Sequence, residues 1–166
     1  MKKNKLQSKH GFSLVEMLTA VLILALMLSF LGGGIVVVKN AYENITLKAE
    51  ARTLLSTAIT SISTELQQAK DIQNKVGTNG TYISFYNTGR EYRMSLQNRN
   101  DNIYIVPDVG RDTIPLLTDK TITNELIPYL TELEYDGNVF HCVVSINYKG
   151  NIYEKQEIYI RPINEQ

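Results

Sequence analysis

The chain is poor in the residues that staple, ligate or catalyse. Its single cysteine, Cys142, cannot close an intramolecular disulfide. Two histidines, His10 and His141, leave no zinc-type spacing to find. No phosphate-cradling glycine loop occurs, and no Gly-x-Ser-x-Gly elbow. An enzyme therefore has no constellation in its favour, and no cofactor is expected. Net charge is missing too: 17 basic residues balance 17 acidic ones, so no basic groove argues for nucleic acid. Tryptophan is absent while tyrosine occurs ten times, a bias that suits half-buried strands. Tyr82 and Tyr86, four apart and so on one strand face, are read as core more than as a binding patch.

One further absence is local. Between Met17 and Val38 there is no charge at all, only Thr19 and Ser29 as polar interruptions. The run is about long enough to span a bilayer, which needs ~20 residues. It exceeds the apolar core of an ordinary secretory signal, and no Ala-x-Ala follows it. Upstream lie Lys2, Lys3, Lys5 and Lys9 with no acid, which places the N-terminus in the cytoplasm and the rest outside. Glu16 sits at the start of the run, where a carboxylate is costly, roughly 2.5–3.5 kcal/mol at a helix centre and less near its end.

The segment Lys-His-Gly11-Phe12-Ser13-Leu14-Val15-Glu16-Met17-Leu18 resembles the class III signal of type IV prepilins and type II secretion pseudopilins. Leader charge, Gly, Phe, Glu spacing and apolar run all agree, over about the first 40 residues. In that family a membrane-embedded aspartyl peptidase cuts after the Gly and methylates the new N-terminal amine. The resemblance implies cleavage between Gly11 and Phe12, N-methylation of Phe12, and a role for Glu16 in assembly. Cleavage would leave 13 basic against 17 acidic residues, a net of about −4. It would also free a positive amine on Phe12. Among helices packed in a filament an unpaired ion is strongly unfavourable, so Glu16 of one subunit should seek the Phe12 amine of a neighbour. Before assembly Glu16 could pair with its own amine, since positions four apart share a helix face.

The implied organisation is α+β and pilin-like. It comprises a leader at 1–11, a membrane and filament-core helix at 12–38, an amphipathic helix at 39–76 and an extracytoplasmic antiparallel β domain at 77–166. Gly32-Gly33-Gly34 softens the outer end of the span or allows close helix packing. Ala51, Leu54, Leu55, Ala58, Ile59, Ile62, Leu66 and Ala69 recur at spacings of three and four, a helical stripe that Gly77-Thr-Asn-Gly80 is expected to end. From Thr81 the period becomes two. Six strands are expected in two meanders: 81–87, 91–97 and 102–107, then 130–135, 139–148 and 152–161. Asp136-Gly137-Asn138 and Lys149-Gly150-Asn151 supply hairpin chemistry in the second. Residues 108–124, with Pro115, are read as irregular.

His141 and Cys142 are consecutive in a strand, point to opposite faces, and cannot share a metal or form a catalytic pair. Asn98-Arg-Asn-Asp101-Asn102 superficially suggests a calcium loop, yet the positions where an EF-hand needs Glu hold Val109 or Arg111. A solvated turn fits better, with Asp108 and Asp112 as nearby carboxylates. The reading that results is a minor pilin or pseudopilin. Its partners would be a prepilin peptidase, other pilin-like subunits and the membrane. The competing class is a membrane-anchored ligand-binding or sensor module.

Overall fold

The computed structural model describes residues 12–77, 80–99, 101–118 and 125–163. Two compact units are present, Met1–Ile45 and Thr46–Gln166, and helix α1 (Leu14–Gln67) contributes to both. In the first unit the described side chains from Phe12 to Ile45 are all exposed, most of them large and apolar. By length and composition α1 can cross a membrane. It runs without interruption through Gly32-Gly33-Gly34, and a Cβ added at Gly33 or Gly34 would meet nothing.

In the second unit α1 turns amphipathic. Ala51, Leu54, Leu55, Ala58, Ile62 and Leu66 are buried and Ile59 is half-buried, the stripe that three- and four-residue spacing sets on one helix face. The amphipathic helix expected over 39–76 is shorter than that. It ends at Gln67, and Ala69–Gly77 is an edge strand, β1. Gly77 and Gly80 do not terminate a helix; they pair with each other, Gly77 at the end of β1 and Gly80 at the start of β2 (Gly80–Asn87). The misleading signal is Ala69 and Ile72, which prolong the helical spacing by accident. Asp71, at φ 47°, sits where the β1 ladder shifts register. The left-handed region suits Asp better than most residues.

β1, β2, β3 (Tyr92–Arg99), β4 (Asn102–Pro107) and the short β5 (Ile114–Pro115) form one antiparallel sheet in chain order. β6 (Leu126–Tyr135), β7 (Phe140–Tyr148) and β8 (Asn151–Ile160) form a second. The fold is α+β, one long helix packed on antiparallel sheets. The six expected strands are β2, β3, β4, β6, β7 and β8; β1 and β5 add to them. Pro115 belongs to the edge strand β5, where a missing N–H does no harm. Lys149 and Gly150, at φ 50° and 80°, connect β7 to β8 with the two positive-φ residues that a type I′ turn requires.

The core joins the helix stripe to both sheets. Phe85 meets Phe140 edge-on at 6.2 Å between ring centroids, and Phe140, Cys142, Val144 and Ile146 alternate inward along β7. The opposite face of β7 is less exposed than its mixed composition suggests. Val143 and Ser145 are buried, lying between strand partners Glu132 and Glu157, and Tyr129 and Lys155. The tyrosines depart further from expectation. None of the ten is buried, and only Tyr92, Tyr135 and Tyr148 pack against the core from its margin.

The C-terminal end of α1 is closed by residues distant in sequence. Thr88 donates its N–H (3.1 Å) and hydroxyl (3.2 Å) to the Gln68 carbonyl, and the Ile163 N–H reaches the Gln67 carbonyl at 2.8 Å. Beneath them lies a polar cluster. The Asn87 side-chain amide donates to the Glu65 carbonyl (3.1 Å) and carboxylate (2.9 Å), and its oxygen accepts the Arg90 N–H at 2.9 Å. Arg90 grips the same carboxylate, at 2.6 Å from Nη2. Asn87 is fully buried. Asn87→Ala leaves its partners without replacement, so a loss of about 1–3 kcal/mol is expected. Urea unfolding of the variant checks it, and an unchanged midpoint would show the cluster to be dispensable.

Candidate functional site

The junction between the leader and the apolar run is where the sequence concentrates its costly choices. Gly11 lies outside the described residues; Phe12 follows, exposed. Ser13 caps α1. Its carbonyl accepts the Met17 N–H at 3.2 Å, and its hydroxyl accepts the Glu16 N–H at 3.2 Å. In return the Glu16 carboxylate accepts the Ser13 N–H at 2.8 Å. The two residues form a reciprocal capping box, satisfying two backbone donors that the first helical turn leaves open. A carboxylate in that turn also meets the positive end of the helix dipole. Ser13 has no role of its own in the sequence expectations, although Ser-x-x-Glu before an apolar run is the signature of this arrangement. One turn on, the Thr19 hydroxyl is satisfied within the helix by the carbonyls of Val15 and Glu16, both at 3.0 Å.

Residues 6–32 match the family model of the prokaryotic N-terminal methylation motif. The chain carries a prepilin-type methylation motif. The matched segment runs directly into α1, and the helix with its antiparallel sheets makes a pilin-like architecture. A prepilin motif of this kind marks a chain processed as pilins and pseudopilins are. With one apolar helix behind it, it also marks a single-pass membrane anchor. Comparison with curated proteins and with solved structures returns no match.

The other candidates resolve into structure. Cys142 is buried among core residues, and burial alone pushes its thiol up to about 12. His141, on the opposite face, stacks on Tyr159 at 5.0 Å and places Nε2 2.7 Å from Glu157. Tyr159 donates to the same carboxylate oxygen at 2.5 Å, which lowers the Glu157 pKa and raises that of Tyr159; the His141 contact lowers Glu157 further. The trio is solvent-facing and holds β8 to β7. Asp108 accepts from Lys75 (2.5 Å) and from the Ser84 hydroxyl (2.8 Å), tying together β1, β2 and the end of β4. Asn102 turns inward, donating to the Leu117 carbonyl at 2.7 Å, so it belongs to the fold and not to a solvated loop. Among the described residues no group of three or more His, Cys, Asp and Glu converges.

Proposed function

We propose that the protein is a minor pilin or pseudopilin, a structural subunit of a type IV pilus-like filament. The observation that carries this is the prepilin motif at 6–32 leading into an apolar helix whose one charged residue, from Leu14 to Val38, is Glu16. The leader lysines favour an N-terminus held in the cytoplasm and a β domain outside. In this reading a prepilin peptidase cuts between Gly11 and Phe12 and methylates Phe12. Glu16 then passes from its local bond with Ser13 to the Phe12 amine of a neighbouring subunit, setting the axial register.

Processing tests the reading most directly. Co-expressed with an active prepilin peptidase, the chain should lose residues 1–11 and carry a methylated Phe12, read by intact-mass measurement of the membrane-extracted protein. Gly11→Arg should abolish the cut, because the peptidase must seat a small residue beside the bond. A mature mass retaining Met1–Gly11 despite an active peptidase would remove the proposal, and would favour an anchored sensor or binding module instead.

A further inference from the structure

The first sheet is forked. β2 keeps β1 on its outer edge along its whole length, down to Gly77 opposite Gly80. β3 likewise keeps β4 as far as Arg99 opposite Asn102. Between β2 and β3 themselves the ladder covers only Asn87↔Tyr92 to Ser84↔Ser95 and stops there. Continued by register, it would join Ile83 to Leu96, Tyr82 to Gln97 and Thr81 to Asn98. Instead, these residues line opposite walls of an open cleft of about 610 Å³, with Arg99 beside them and Tyr129, Leu130 and Leu133 of β6 as a third wall. The volume is that of an ordinary ligand site, ~300–1,000 Å³.

At the fork the polar side chains bond elsewhere than across it. At its crotch Ser84, the last paired residue of β2, is tied through Asp108 to Lys75. The Gln97 amide donates back along its own strand to the Ser95 hydroxyl at 2.9 Å and does not bridge to β2. Asn98 reaches β6, donating to the Leu130 carbonyl at 2.7 Å and accepting the Leu130 N–H at 2.8 Å. That pair of bonds is what a neighbouring strand would supply, here made by one side chain.

An open strand edge presents backbone donors and acceptors at every second residue, and what satisfies such a row is another extended backbone. Arg99 is the one charged side chain lining the cleft, is exposed, and has no ion-pair partner among the described residues. We infer that the fork between β2 and β3 binds an extended polypeptide segment bearing a carboxylate, which adds as a strand along an open edge with its acid at Arg99. Tyr82 and Tyr129 flank the seat and offer ring surface to its side chains. The inference goes beyond filament membership and holds whichever filament the subunit serves.

The test uses the full chain in detergent micelles and a synthetic heptapeptide of alternating Thr and Val with one central Asp. Hydrogen exchange at residues 81–83 and 96–99 should slow by about tenfold with the peptide at roughly ten times its Kd. The same peptide with alternate amides N-methylated should give no protection, since it cannot pair as a strand. An Asp-to-Asn peptide should bind about two- to fivefold more weakly, the range of one exposed ion pair, and Arg99→Gln should erase that preference without changing exchange in the free chain. Absence of protection at millimolar peptide, equal binding of the N-methylated peptide, or protection confined to the outer edges β1 and β8 would each overturn the site. A preference for Asp that survives Arg99→Gln would overturn the carboxylate assignment.

Discussion

A fragment beginning at Asn40 is expected to fold and remain monomeric in solution, whereas one beginning at Thr78 is expected to aggregate. The first keeps the whole buried stripe of α1 and drops most of the exposed apolar helix. The second loses Leu54, Leu55, Ile62 and Leu66 from the core, each contributing about 1.5–3 kcal/mol when buried. It also loses β1, turning β2 into a bare edge. The combined deficit, about 6–12 kcal/mol from these four side chains, is as large as the ~5–15 kcal/mol by which domains are stable. Size-exclusion chromatography and alkylation of Cys142 read the outcome, because this buried thiol is protected until the fold opens. A well-folded monomer starting at Thr78 would show that the helix is not part of the core. Within the intact chain Ile62→Ala should reproduce part of the loss, about 2–5 kcal/mol.

The second large effect concerns Glu16. Two roles coincide on its carboxylate: the capping bond to Ser13 seen in the structure, and the counter-charge for a neighbour's Phe12 amine in the proposed assembly. Substitution separates them. Glu16→Gln retains an oxygen able to accept the Ser13 N–H, while removing the charge. Ser13→Ala removes the hydroxyl half of the cap, at about 0.5–2 kcal/mol of helix stability, and leaves the charge in place. If Glu16 acts by charge, both Glu16→Gln and Glu16→Ala should be cleaved and abundant in the membrane yet fail to co-purify with partner subunits. Leaving an amine unpaired among packed helices costs about 3–5 kcal/mol, a hundredfold or more in association. Ser13→Ala should associate nearly as the unaltered protein does. Full association of Glu16→Gln would reduce the residue to a cap.

The junction was legible because its chemistry is local: lysines, Gly11, Phe12, Glu16 and the apolar run stand consecutively. The hairpins of the second meander were legible for the same reason, since Asp136-Gly137 and Lys149-Gly150 carry their turn geometry in their own backbones. The end of α1 was not. Its last carbonyls are met by Thr88 and Ile163, while the adjoining residues keep a helical spacing as far as Ile72. Lys70, Asp71 and Lys75 give β1 the polar character of a protected edge, which in one dimension looks like the solvated side of a helix. The fork was equally hidden, because β2 and β3 each have ordinary strand patterns and only their divergence makes a cleft.

The closure of α1 bears on the order in which the chain can become whole. Of its two closing partners Thr88 is the nearer in sequence, 20 residues from Gln68, and closes the smaller and entropically cheaper loop. The Gln67 carbonyl waits for Ile163, beyond every strand of both sheets. A ribosome or translocating chain that has delivered only the first meander therefore holds a helix tied on one side and hydrated on the other. The native helix terminus becomes a record that synthesis has run through β8.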